Sequence, residues 1–314
     1  MSEVQECSCL FDAGKVDFAY QPIISTSSFR VHGFEALARL PIGRFTDISE
    51  LLNRSCEAGV LRQVENILLR KAISKFSAFP EKRFVRLFCN VDNRTYDGSP
   101  PDKDALLDVI ERSGLPASNL CLEISERHPM QSFDTVKGVV ETLVEHDARV
   151  ALDDFGIGNS GLHMLLNLEP HYVKIDRTFV SDIASSTRKQ AIVAKLCGLA
   201  HALGFQTVAE GVENESDFRM ARDLGCDLAQ GYHIARPTTD LRDLSIDYSG
   251  TLSVSSPPRM SPRVADLLTP RETDILTRIS GQPTGERVGE RQRPVGDPIR
   301  QRRINLAIHL RLRV

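Results

Sequence analysis

Between residues 16 and 240 short apolar runs rich in β-branched and aromatic residues recur along the chain: VDFAYQPII, FRVHGFEAL, RFVRLFCNV, LCLEIS, RVALDD, YVKID, QTVAE and DLAQGY. Longer stretches separate them, among them ISELLNRSCEAG, LRQVENILLRKAISKF, DALLDVIERSG, FDTVKGVVETLVEH, RKQAIVAKLCGLAHALG and ESDFRMARDLG. These read as helical patterns; in the last two the apolar positions fall three and four apart and Gly204 and Gly225 close them as a helix C-terminus should. Strands alternating with helices argue for a parallel sheet. Eight runs in about 230 residues fit a closed (β/α)₈ barrel better than an open doubly wound sheet.

The apolar runs end on polar residues: Glu35, Asn90, Glu123, Asp153 with Asp154, Lys174, Glu210 and Gln230. Any one of them could simply cap its strand or pair with a surface cation. Repetition at successive strand ends argues otherwise, because in a barrel those ends open onto the face that carries the active site. Two carboxylates ~4 Å apart repel by roughly 4 kcal/mol at an effective dielectric near 20, so five at one mouth call for cations. Carboxylate oxygens and the Asn90 carbonyl are hard donors that suit Mg²⁺ or Mn²⁺ rather than zinc. The adjacent Asp153 and Asp154 suit two ions, and an ion pair ~3.5–4 Å apart clamps a phosphate ester for hydrolysis. The chemistry predicted is that of a metal-dependent phosphodiesterase.

Composition narrows the class. The 314 residues are 41% hydrophobic and 26% charged with net charge −3, which excludes disorder as the main state and a disulfide mini-scaffold. Seven scattered cysteines, none in a CxxC with a second pair, argue against a structural zinc site and for reduced thiols in a cytoplasm. The opening MSEVQECSCLFDAG is acidic where a signal peptide would be basic, and no apolar run approaches ~20 residues, so a soluble cytoplasmic protein without a membrane span is expected. Charge is unevenly placed: residues 271–314 hold ten arginines, no lysine and five acidic residues, a balance of +5, leaving −8 for residues 1–270. The Ser/Pro-rich SGTLSVSSPPRMSPR lies between. The division expected is a catalytic body over 1–248, a linker over 249–263 and a basic tail over 264–314.

Glu35-Ala36-Leu37, inside GFEALARL, resembles the signature of the EAL-domain family of cyclic di-GMP phosphodiesterases. NVDNR, LEISER, ALDDFGIGNSGL, YVKIDRTFV, VAEGVE and LGCDLAQGYHIARP follow in family order, so the resemblance spans about residues 16–240. It implies a modified (β/α)₈ TIM-type barrel, in agreement with the alternation above. It also implies hydrolysis of cyclic di-GMP to the linear dinucleotide pGpG with two Mg²⁺ or Mn²⁺ ions, and a homodimer. Carried over, Glu35, Asn90, Glu123 and Asp153 are ligands of one ion, and Asp153 bridges to a second held by Asp154 and Glu210. Lys174 orients or deprotonates the attacking water, or acts electrostatically on the phosphoryl oxygens; beside two cations its pKa is expected to be depressed. Gln230 holds the water network, and Arg39 binds phosphate through its guanidinium fork. Gln21, Leu37, Arg236 and Pro237 line the guanine and ribose sites, and Glu126 braces the loop after Asp154. That loop departs from the family in having Ile157, Asn159 and Gly161 where many members have Thr, Tyr and Ser, although Gly156 and Gly158 remain. Asn93 rivals Asn90 as the amide ligand. His128, His163 and His171 are expected at the surface, and Cys89 and Cys121 in the core.

In the tail, LTPRETDILTRISGQ resembles the first helix of a LuxR-type helix-turn-helix over some 20 residues. Pro294, Gly296 and Pro298 then fall where the recognition helix belongs. The expectation is at most weak, salt-sensitive DNA binding, and hydrolysis that survives deletion of residues 264–314. Two rivals to the enzyme stand: a receptor that binds cyclic di-GMP without cleaving it, and a transcription regulator whose body only senses. The complete polar set favours the enzyme.

Overall fold

The first two apolar runs are joined by a connection too short to hold a crossover, and in the computed structural model they form an antiparallel hairpin, β1 (Asp17–Ser25) and β2 (Val31–Arg39). Every later strand has room for a crossover, and each runs parallel to its predecessor: β3 (Arg86–Val91), β4 (Leu120–Ser125), β5 (Arg149–Phe155), β6 (Tyr172–Ile175), β7 (Gln206–Ala209) and β8 (Leu228–Ala229). β8 then pairs antiparallel with β1, closing the barrel in the order β1 to β8. The fully parallel sheet suggested by the alternation is thus corrected at β1. The structure describes residues 12–41, 45–96, 114–125, 133–158 and 161–252. The predicted helix DALLDVIERSG, the basic tail and all but the first residues of the Ser/Pro-rich segment lie outside them.

The described helices of eight residues or more are α1 (Ile48–Glu57), α2 (Leu61–Phe76), α3 (Phe133–Glu145), α4 (Gly161–Leu168), α5 (Thr187–Leu203) and α6 (Glu215–Asp223). Their ends follow from side-chain chemistry. Asp47 caps α1 by accepting from the Glu50 amide at 2.9 Å, and Asn214 caps α6 by accepting from the Asp217 amide at 2.9 Å. Gly204, at φ +87°, terminates α5 in the left-handed conformation. α4 was not visible in the sequence pattern.

The barrel is filled at its centre by Ile23, Phe88, Cys121, Ala151, Tyr172, Val208 and Leu228, each from a different strand. β2 contributes Gly33 at this level, where a Cβ would lie 2.6 Å from the Phe88 ring. Cys89 and Cys121 are buried, as the sequence suggested. His171 is also buried, against expectation: it ends the connection entering β6, and its Nδ1 accepts from the Val150 amide at 3.3 Å. His163 is exposed, with its ring on Phe133; His128 is outside the described residues.

His32, at the opposite end of the barrel from the strand C-termini, contacts Tyr172 Oη at 2.9 Å through Nε2, and the same nitrogen accepts from the Arg86 guanidinium at 3.3 Å. Burial, reinforced by Arg86, pushes its pKa down to about 3. Because the unfolded chain takes up this proton near pH 6.5 and the native state does not, the contribution to stability is complete above that pH and is lost as pH falls toward 3. Denaturation of wild type and His32→Leu at pH 6 and pH 5 should show the difference moving toward the variant by about 1 kcal/mol. A constant difference would refute the assignment.

Candidate active site

Parallel pairing sets the mouth of the barrel. Asn90 is level with Glu123 across β3 and β4, and Ser125 with Asp153 across β4 and β5. Gln21 of the reversed strand β1 is level with Glu35 of β2. Lys174 of β6, 1% exposed, stands at the centre. Its Nζ lies 2.7 Å from Glu123 Oε1, 2.9 Å from Glu210 Oε1, 3.0 Å from Asp153 Oδ1 and 3.4 Å from Glu35 Oε2. One ammonium therefore faces carboxylates from four different strands or strand ends.

Glu35 is held from both sides. Asn90 Nδ2 donates to its Oε1 at 2.8 Å and Gln230 Nε2 to its Oε2 at 2.7 Å. Gln230 Nε2 also approaches Gln21 Oε1 at 3.2 Å, and Gln21 Nε2 donates to the Ala235 carbonyl at 3.0 Å. At the far side Ser125 Oγ donates to Asp154 Oδ2 at 2.9 Å. Asn93 does not share this cluster of donors: its Nδ2 reaches the Ser125 carbonyl at 3.3 Å.

The electrostatics follow from crowding. Burial and neighbouring negative charge hold Glu123, Asp153 and Glu210 above the ordinary carboxylate range despite Lys174. Glu35 also resists burial, but Lys174, Gln230 and Asn90 outweigh it and its pKa is lowered. For Lys174 burial disfavours the charge, yet Asp153, Glu123, Glu210 and Glu35 together hold its pKa well above the ordinary lysine range. The depression expected from two neighbouring cations is a separate effect, opposite in sign to that of these four carboxylates.

The donor set fits divalent cations. Oxygens of Asp153, Asp154 and Glu210 lie within 4.8 Å of one another, and among the described residues this is the one such group of metal-ligating side chains. Glu123 Oε2 and Gln230 Oε1 are buried without a hydrogen-bond partner. Buried lone pairs of this kind are normally satisfied, so a ligand that accepts them is indicated. All the donors are oxygen, as Mg²⁺ and Mn²⁺ prefer.

Beside this cluster lies a cavity of about 390 Å³. Asn90, Asp92, Asp153, Asp154 and Glu65 supply polar lining, and Leu52, Leu68 and Leu69 of α1 and α2 supply apolar lining. Leu37 and Arg39 are at its wall; the Arg39 guanidinium, exposed, donates to the Ala38 carbonyl at 3.0 Å. Arg236 and Pro237 do not line this cavity; the Arg236 guanidinium lies 4.2 Å over the half-exposed Tyr232 ring. Glu126 and Asn159 are outside the described residues.

Residues 4–237 match the EAL domain family. The chain belongs to that family. Among curated relatives, the cyclic di-GMP phosphodiesterase NbdA of Pseudomonas aeruginosa is 32% identical over 235 residues, covering 71% of this EAL chain and 29% of NbdA. The signaling protein YkoW of Bacillus subtilis is 29% identical over 222 residues, covering 69% of this chain and 28% of YkoW. The chain thus spans roughly three tenths of the length of these relatives. Among solved structures, Klebsiella pneumoniae BlrP1 in its manganese and cyclic di-GMP complex superposes with a TM-score of 0.64 at 30% identity, covering 71% of this chain and 56% of BlrP1. The EAL barrel architecture is shared.

The sequence reading missed Glu65, Ser125 and Tyr232. Glu65 could have been found: on α2 it falls four after Leu61 and three and four before Leu68 and Leu69, inside the apolar stripe. Burial and Asp92 push its pKa up to about 8.

Proposed function

We propose that this chain hydrolyses cyclic di-GMP to linear pGpG with two Mg²⁺ or Mn²⁺ ions. The observation that carries the reading is the complete oxygen-donor set converging on Lys174 at the barrel mouth. Glu35, Asn90, Glu123 and Asp153 would hold one ion, and Asp153, Asp154 and Glu210 the other. Such ions, when bound, polarise a phosphoryl oxygen and make water a better nucleophile. The chain's own residues do the rest. Asn90 and Gln230 fix both oxygens of Glu35, Lys174 gathers the carboxylates and adds positive charge where the phosphoryl oxygens become more negative, and Arg39 offers its guanidinium to a phosphate. The apolar lining of the cavity, Leu37 included, would receive a base, and the family resemblance adds Gln21, Arg236 and Pro237 to the ribose and guanine contacts.

NbdA is named as a phosphodiesterase of this nucleotide and BlrP1 binds it with manganese, which supports the substrate. Retention of every proposed ligand favours hydrolysis over a receptor that only binds. Leu162 and Leu166 of α4, 66% and 73% exposed, offer an apolar surface consistent with the proposed homodimer. No described helix is long and apolar enough to cross a membrane, and the described cysteines are all free thiols; a cytoplasmic setting remains our proposal.

Ca²⁺, with longer ligand distances and looser geometry than Mg²⁺, should suppress turnover. Adding it to an Mn²⁺-supported assay should lower the rate, and a rate unaffected by excess Ca²⁺ would speak against the two-ion reading.

A further inference from the structure

Asp154 has φ +56°, in the left-handed region where a residue bearing a Cβ is strained. Asp153 and Asp154 are sequence neighbours that regular strand geometry would send to opposite faces of the sheet. The left-handed turn at the end of β5 breaks that alternation, and oxygens of both residues come within 4.8 Å of each other and of Glu210. A carboxylate delivered by a strained residue at a strand end needs something to set its orientation.

Ser125 is placed to do so. It ends β4, pairs with Asp153 in the β4–β5 register, and its Oγ donates to Asp154 Oδ2 at 2.9 Å. Its own backbone carbonyl accepts from Asn93 Nδ2 at 3.3 Å, and Asn93 is 3% exposed. A relay of hydrogen bonds therefore runs from the buried Asn93 through the end of β4 to the carboxylate. A hydroxyl has a single proton to donate, so a bond to Oδ2 selects one carboxylate orientation.

We propose that Ser125 is a positioning residue for Asp154: its hydroxyl orients the carboxylate toward the divalent-cation site shared with Asp153 and Glu210. The proposal rests on the metal-dependent reading above. Partners that orient a ligand without touching the ion themselves typically contribute 10–100-fold to metal affinity. Asn93 acts one step behind, by fixing the backbone from which the hydroxyl projects.

The test is calorimetric titration of Mn²⁺ into metal-stripped protein for wild type, Ser125→Ala and Ser125→Thr, with metal-free melting temperatures as the control for folding. Ser125→Ala should bind one Mn²⁺ about tenfold more weakly while melting within a few degrees of wild type. Ser125→Thr keeps the hydroxyl and should restore affinity to within about twofold of wild type. Wild-type Mn²⁺ uptake with an equally tight alanine variant would overturn the role of Ser125 alone. A wild-type chain that takes up no Mn²⁺ would overturn the metal-dependent reading and this one with it.

Discussion

Replacing Lys174 with methionine should cost the fold several kcal/mol and abolish turnover. The ammonium lies within 3.4 Å of Glu35, Glu123, Asp153 and Glu210, and it is 1% exposed. Methionine fills comparable volume but leaves the carboxylates facing one another without a counter-charge. Removing one partner from a buried ion pair typically destabilises by about 3–5 kcal/mol, which in a domain of this size lowers the melting temperature by roughly 10 °C. Acid should narrow the deficit, because protonating the carboxylates removes the repulsion that the lysine offsets. Mn²⁺ should narrow it too, raising the melting temperature of Lys174→Met more than that of wild type. Hydrolysis should not return with the metal, since the positive charge beside the phosphoryl oxygens is still missing. Thermal melts at pH 7.5 and pH 5, with and without Mn²⁺, check each part. A variant as stable as wild type at pH 7.5 without metal would show that the lysine does not bind the cluster together.

Replacing Glu35 with alanine should reduce hydrolysis at least ~10³-fold, about 4 kcal/mol of barrier, while nucleotide affinity changes only a few-fold. Both Glu35 oxygens are used, one by Asn90 at 2.8 Å and one by Gln230 at 2.7 Å, and the carboxylate lies 3.4 Å from Lys174. Its removal takes one proposed ligand and frees Asn90, another, together with the Gln230 amide. Arg39 and the apolar cavity wall, which would grip the nucleotide, are left intact. Single-turnover hydrolysis alongside equilibrium binding separates the two effects. A hydrolysis rate within about tenfold of wild type, under ~1.4 kcal/mol of barrier, would remove Glu35 from the metal-holding set.

Much of this was legible in the residues because barrel strands are short and their ends chemically distinctive. VDFAYQPII through DLAQGY became β1 to β8, and Glu35, Glu123, Asp153, Lys174, Glu210 and Gln230, read as ends of separate runs, converge on one mouth. What was not legible depended on tertiary context. The reversal of β1 is implied by the short connection before β2, but the strand–helix alternation of the rest masked it. GLHMLLNL forms α4, burying Met164, Leu165 and Leu168 on one face, but Leu162 and Leu166 on the exposed side make the segment apolar all round and blur that periodicity. His171 looked like a loop residue and is buried because the adjacent backbone of β5 gives its ring a partner. The upward pull on the Lys174 pKa could not be read without knowing that four carboxylates lie within 3.4 Å of its ammonium. Ser125 carried no signal at all, since a serine closing a strand is ordinary and only the geometry shows its bond to Asp154.

The most direct test of the central claim is to incubate the purified chain with cyclic di-GMP and Mn²⁺ or Mg²⁺, with a chelated control, and to separate the nucleotides by anion exchange. The linear dinucleotide pGpG should accumulate with either ion and stop when the metal is chelated. Cyclic di-GMP recovered bound but uncleaved at saturating concentrations of both ions would contradict the account.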